Sequence, residues 1–218
     1  MDFEFFVDVF PEILEGLSIT LSLFLWTLLL STLLGLVLAL MRLSPIAPLR
    51  WISGVYGWLI RGIPLLLLLF YVFFALPEFG DAFTLSPFRS AVVGLTLWTA
   101  SYQSEAIRSG IISVDKGQYE ASEALGMTKF HQMRKIILPQ SVRIIAPPFT
   151  GNAINALKQT SLATVITVSE MTGITRGIIA SSFQTVEPLL ALALIYLALT
   201  TVLVFAQSGL ERVFRLKT

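Results

Sequence analysis

Cysteine is absent from these 218 residues, and histidine occurs once, as His131. Disulfides, thiolate chemistry and cysteine-based metal centres are therefore excluded, and one imidazole makes no metal site alone. Charge is scarce too: 13% of residues are Asp, Glu, Lys or Arg, with a net charge of +1. So small a balance says little about partners, and nothing in it marks nucleic acid as one. No G-x-x-x-x-G-K-[ST] occurs, so the chain carries no P-loop of its own. The first residues hold Asp2, Glu4, Asp8, Glu12 and Glu15 with no Lys or Arg, so the basic n-region of a cleavable signal peptide is not expected.

What is present is apolar surface. At 55% hydrophobic residues and a mean hydropathy of +0.80, the chain is too hydrophobic for a soluble domain of this size. Gly16 to Met41 is 26 residues without a charge, longer than the ~30 Å hydrocarbon core requires at ~1.5 Å per residue. Trp51 to Pro77 is a second stretch, interrupted by Arg61 and kinkable at Pro64. Pro188 to Leu210 is a third. Ser90 to Ser104 is charge-free but shorter than ~17 residues, and Ile144 to Val168 contains Lys158. The expected fold is all-α: a polytopic membrane protein of five transmembrane helices, one domain over residues 1–218 with no linker or repeat. With an acidic N-terminus outside, the inner regions hold Arg42, Arg50, Arg61, Arg108, Lys116, Lys129, Arg134, Lys135, Arg143, Arg212, Arg215 and Lys217. The outer regions hold only Arg89 and Arg176, so the chain reads N-out and C-in, with the polar loop at about 105–143 in the cytoplasm. Phe6, Phe10, Ile13, Leu14 and Leu17 follow helical spacing before the first span, as expected of an anchor or packing strip along the outer interface.

The polar loop reads as two short helices. Asp115 caps the first, through Tyr119, Glu120, Ala121, Ala124 and Leu125, and Gly126 supplies a left-handed end. Thr128 caps the second, Lys129 to Leu138, and Pro139 is expected to stop it. Tyr119 and Leu125 are expected on the surface, where a groove on a partner would receive them.

Glu120-Ala-Ser-Glu-Ala-Leu-Gly126 followed by Ile136-Ile-Leu138-Pro139 resembles the EAA motif of ABC importer permeases: E-A-A, three residues, G, nine residues, I-x-L-P. Every spacing is kept, and Ser122 stands for the second Ala. Arg61-Gly-Ile-Pro-Leu-Leu resembles the family's R-G-T-P-L-L, and Tyr102-Gln-Ser-Glu105-Ala-Ile-Arg108-Ser-Gly resembles its Y-x-x-E-x-x-R-x-G. Gly117-Gln118 before Tyr119-Glu120 is similar to its G-Q-x-E-A, and Lys158-Gln-Thr-Ser161-Leu to its K-x-T-S-L. These matches cover about residues 39–166 and point to the polar amino acid branch of type I importers.

The resemblance implies a permease subunit in a bacterial cytoplasmic (inner) membrane, not an enzyme. It implies a second permease chain (identical or different), an ABC ATPase that holds ATP and Mg, and an external solute-binding protein. The coupling residues it implies are Gln118, Tyr119, Glu120, Ala121, Ala124, Leu125, Gly126, Leu138 and Pro139.

Glu105 and Arg108 lie three apart and are expected to pair at an inner helix end, a structural role. Arg61 is placed to snorkel to phosphate. Lys158 at span depth costs ~2.5–3.5 kcal/mol on insertion scales, and reads equally as a tether or a pathway residue. The polar face most suited to substrate is Asn152, Asn155, Gln159 and Ser161; interhelical hydrogen bonding is the other use of such amides. Basic amino acid permeases of the resembled family often carry Glu after the Asn that Asn152 matches, where this chain has Ala153. An uncharged or acidic substrate is expected, or a carboxylate supplied by a different second permease. The alternative is a secondary transporter or channel without an ATPase, but no acidic relay or inverted repeat is visible. A membrane enzyme lacks any nucleophile–base set or metal ligands.

Overall fold

The computed structural model describes the backbone of residues 3–214 and the side chains of residues 3–209. Asp2, Arg215, Lys217 and the side chain of Arg212, which entered the charge bias, lie outside that range. All regular structure among the described residues is helical. Helix α1 (Phe3–Glu15) meets α2 (Leu17–Leu43) at Gly16. Helix α3 (Ala47–Gly62) precedes α4 (Leu65–Phe70), which runs on through a π turn (Tyr71–Ala75) and a 3-10 turn (Leu76–Phe79). Then come α5 (Pro87–Ile112), α6 (Lys116–Ala124), α7 (Lys129–Gln132) with a π turn (Met133–Ile137), and α8 (Leu138–Gln159). A 3-10 segment (Thr160–Ile166) leads to α9 (Met171–Ser182) and α10 (Val186–Phe214).

Two helices are long and apolar enough to cross a membrane, Leu17–Leu43 and Val186–Gly209, or three if α3 and the segment Leu65–Phe79 form one broken span. That pair bends by 104°, so Trp51 to Pro77 is not one kinked helix but two. Ile63 takes extended geometry (φ −100°, ψ 132°) because the ring of Pro64 clashes with a helical residue before it.

Helix α5 is 26 residues, longer than the charge-free stretch suggested, because Ser86 caps it and Glu105 and Arg108 continue it. It is the central helix, burying Ala91, Gly94, Leu95, Ala100, Ser101 and Gln103 among others. A helix surrounded by protein has no need of an apolar exterior, which accounts for its low hydropathy. Its longest contact is with α2, which turns a stripe of small residues (Thr20, Thr27, Ser31, Gly35, Ala39) inward. A Cβ on Gly35 would sit 2.9 Å from Gln103 Cβ, so the missing side chain sets how closely the helices approach. The α1 segment buries Val9 and Ile13 against Met171, Ile178, Leu192 and Ile195. It is a packing strip on α9 and α10.

Pro139 does not end a helix. It occupies the first turn of α8, where a missing N–H costs nothing, and the π turn before it absorbs the ring. Helix α7, the π turn and α8 are therefore one nearly continuous rod.

Candidate functional site: the loop helix and an open cleft

The loop helix α6 is closed at both ends by local chemistry. Asp115 accepts the Gly117 N–H at 2.7 Å, compensating one orphan donor at the start. At the other end Gly126 sits at φ +73°, and two bonds close a Schellman turn: Gly126 N–H to Glu123 O at 2.9 Å and Met127 N–H to Ser122 O at 3.1 Å. Thr128 Oγ1 accepts the His131 N–H at the start of α7. A β-branched residue at Gly126 meets no neighbour but must adopt a left-handed backbone, at a cost of about 1–2 kcal/mol. Gly126→Val is accordingly expected to raise amide exchange across Ser122–Met127 severalfold, leaving α5 and α8 protected. Unchanged exchange in the loop would contradict the strain.

Ser122 is where the chain departs from E-A-A, and it is buried at 3% exposure. Its Oγ accepts from Gln132 Nε2 at 2.6 Å and lies 2.7 Å from Gln118 O, to which it donates. Gln132 also donates to Tyr119 O at 2.9 Å. The hydroxyl thus ties α6 to α7, a link that an Ala at this position would leave unmade.

Tyr119 does not stand on the outer surface. Its hydroxyl donates to Ile111 O at 3.2 Å, and its ring joins the cluster of Ala39, Ile107, Ile111, Val114 and Ile137; burial pushes its phenol above the usual range. The loop helix therefore rests on residues of α2, α5 and the segment leading into α8. Gln118, Glu120, Ala121, Ala124, Gly126, Leu138 and Pro139 remain exposed, and Leu125 is 81% exposed. Phe130, 68% exposed, joins them. A large apolar residue at the second position of a helix in an otherwise polar loop was the signal for it in the sequence.

At the C-terminal ends of α3 and α5, Arg108 Nη2 donates to Glu105 Oε1 at 2.6 Å, and Arg61 Nη1 lies 3.6 Å from Glu105 Oε2. Arg61 thus faces Glu105 across α3 and α5 rather than snorkelling away alone. All three side chains are partly exposed, so the network is weak and its use is to set helix register.

The amides and Lys158 do not share one environment. Asn152 faces α5, its Nδ2 3.5 Å from Gln103 Oε1, and Gln159 is half-buried. Ala153 is 8% exposed, packed with Phe24, Ala156 and Leu157. Asn155 and Lys158 are exposed. Lys158 and Ser161 line an open cleft of about 310 Å³ with Thr172, Leu189, Leu192 and Tyr196. No carboxylate among the described residues pairs with Lys158. The cleft wall is braced from behind by Glu170, fully buried, which accepts the Thr172 and Gly173 N–H groups at 3.0 Å each and the Tyr196 hydroxyl at 3.2 Å. Glu170 drew no attention in the sequence; its one mark there is an acid directly before a helix start, Ser169-Glu170-Met171-Thr172-Gly173.

Residues 31–216 match the family described as binding-protein-dependent transport system inner membrane component. The arginine transport system permease protein ArtQ of Bacillus subtilis (strain 168) is 37% identical over 212 residues, 97% of this chain and 96% of that protein. The L-cystine transport system permease protein TcyB of the same organism is 42% identical over 161 residues, 74% of this chain and 68% of that protein. A chain from the crystal structure of an amino acid ABC transporter with histidines superposes with a TM-score of 0.91 at 33% identity, covering 97% of this chain and 98% of its own. The polar loop, the broken α3–α4 pair and the central α5 are thus those of a transporter subunit: this chain belongs to the family of binding-protein-dependent transport system inner membrane components, the ABC transporter permeases, whose ATPase is a separate subunit.

Proposed function

We propose that this chain is a permease of a polar amino acid importer, crossing the bacterial cytoplasmic membrane five times with its N-terminus outside. Two permease chains line the pathway, an ATPase that holds ATP and Mg docks on α6 and α7, and an external binding protein delivers the ligand. The observation that carries this reading is the loop helix itself. It is capped at both ends, seated on the bundle through Tyr119, and still presents Leu125 bare. A rigid, inwardly anchored helix with an unpartnered apolar tip suits the transmission of a push. Burial of α5 within the bundle supports counting it as a span despite its polarity.

The proteins similar to this chain are named for arginine and cystine, and one was solved with histidines. Here Lys158 and Ser161 line the cleft with no acid among its described lining residues, Asn155 is exposed on the same helix as Lys158, and Ala153 is turned into the core. An exposed ammonium without a partner suits a carboxylate of the ligand. We assign the chain an amino acid whose side chain is uncharged or acidic.

The test is ATPase activity of the reconstituted complex, with any second permease, against a panel of loaded binding proteins. Stimulation by one that carries a neutral or acidic amino acid is the expected result, and Lys158→Gln is expected to lower its uptake about tenfold or more, with Lys158→Arg partly restoring it. Stimulation only by a cationic amino acid would overturn the substrate reading. ATP-independent transport would overturn the importer.

A further inference from the structure

A further cleft lies away from the loop helix and from the cleft at Lys158. It measures about 640 Å³ at the corner between α2 and α3, lined by Arg42, Arg50, Trp51, Gly54, Val55 and Trp58. Trp51, Val55 and Trp58 recur at helical spacing on one face of α3, and both indoles are 73% exposed. A bare stripe of two tryptophans about 10 Å long is costly in water and suited to the headgroup level of a bilayer.

At one end of the stripe two guanidiniums are held in place by backbone. Arg42 Nη1 donates to Arg50 O at 2.8 Å, and Arg50 Nη1 donates to Ser44 O at 3.0 Å and Pro45 O at 2.7 Å. These bonds engage only Nη1 of each fork, so the remaining N–H donors are available to an anion. Among the described residues no carboxylate pairs with either arginine; Glu105 takes Arg61 and Arg108 instead. Gly54 keeps the arrangement open: a Cβ there would overlap Arg42 Nη1, so any side chain would push that guanidinium off α3.

We propose that this corner is a binding site for an anionic phospholipid, its phosphate on Arg42 and Arg50 and its upper acyl chain along Trp51, Val55 and Trp58. Fixed guanidinium donors match phosphate oxygens, and the adjoining aromatic stripe matches hydrocarbon, so the cleft fits one molecule carrying both. A soluble anion would use only the arginines and leave the stripe bare. The site depends on the chain being embedded in a bilayer, and not on which amino acid it carries or on its ATPase.

The test is native mass spectrometry of the purified complex titrated with phosphatidylglycerol and with phosphatidylcholine of the same chains. Wild type is expected to prefer phosphatidylglycerol, and R42Q/R50Q to lose about fivefold in its binding per arginine, about twenty-five-fold for the pair, with phosphatidylcholine binding unchanged. Gly54→Leu keeps both charges but occupies the cleft, and is expected to abolish the same preference should the double variant fail to accumulate. Equal binding of the two lipids by wild type would overturn the proposal, as would an undiminished preference in either variant. Full competition by inorganic phosphate would make it a free-anion site, and a cross-link from position 58 to a second copy of this chain would make it a protein interface; either result also overturns it.

Discussion

Substituting aspartate for both Leu125 and Phe130 is expected to abolish ATP-driven uptake while the permease still inserts and keeps its helices assembled. Neither side chain belongs to a buried cluster: they are 81% and 68% exposed, so the isolated subunit has little to lose when they become polar. The complex has much to lose. Burying a large apolar side chain contributes about 1.5–3 kcal/mol, and placing an unpaired carboxylate in its pocket adds a desolvation cost. Losing both anchors is therefore expected to weaken ATPase association by more than about a hundredfold. Tyr119→Phe is the informative control. Its hydroxyl serves only the bond to Ile111 O, so its removal costs about 1 kcal/mol within the permease and leaves the docking surface intact. Co-purification with the ATPase and uptake into vesicles check both variants together. Wild-type association of the double aspartate variant would mean that the ATPase docks elsewhere.

How legible the loop was depended on the range of each interaction. Asp115, Gly126 and Thr128 act on backbone within three residues, and a capped two-helix loop follows from residue type and spacing. Tyr119 is not legible in this way, because its partners lie on three other segments and nothing near it in sequence records that Ile107 and Ile137 surround it. Pro139 reads locally as a stop, yet a proline in the first turn of a helix is as favourable as one after its end. Only the π turn over Met133–Ile137 decides between the two. Arg61 shows the same limit, since Glu105 lies on another helix and pairing competes with snorkelling on nearly equal terms. Periodicity puts Asn152, Asn155 and Gln159 on one stripe, and all three lie in the regular helix α8. Spacing does not tell that Asn152 reaches Gln103 of α5 while Asn155 is exposed, or that Ala153 turns to the core and Lys158 to the open cleft. A polar residue in a membrane bundle has three destinations, and spacing alone separates them poorly.

Glu170→Ala is expected to have the largest effect on the permease itself. The carboxylate is fully buried and serves three donors: the N–H groups of Thr172 and Gly173 at the start of α9, and the hydroxyl of Tyr196 on α10. The next residue continues the junction, since the Met171 N–H donates to Thr20 Oγ1 of α2 at 3.3 Å. Gly16 lies against the same point, where a Cβ would come within 2.6 Å of Met171 N. Glu170 therefore ties α9 to α10 at the point where α2 and the α1–α2 junction also meet. Alanine removes a helix cap, about 1 kcal/mol, and leaves buried donors unmatched at about 1–3 kcal/mol more. A loss of about 2–4 kcal/mol corresponds to a fall in Tm on the order of 5–15 °C for a domain of this length. Glu170→Gln keeps one acceptor oxygen and is expected to lose less than half as much, and Tyr196→Phe removes a single bond and is expected to lose least. Because Thr172 and Tyr196 line the cleft beside Lys158, uptake is expected to fall in the same order as stability. A Glu170→Ala permease with wild-type melting would show that water replaces the carboxylate at the junction. Wild-type melting with lost uptake would instead move Glu170 from the frame of the cleft into the pathway itself.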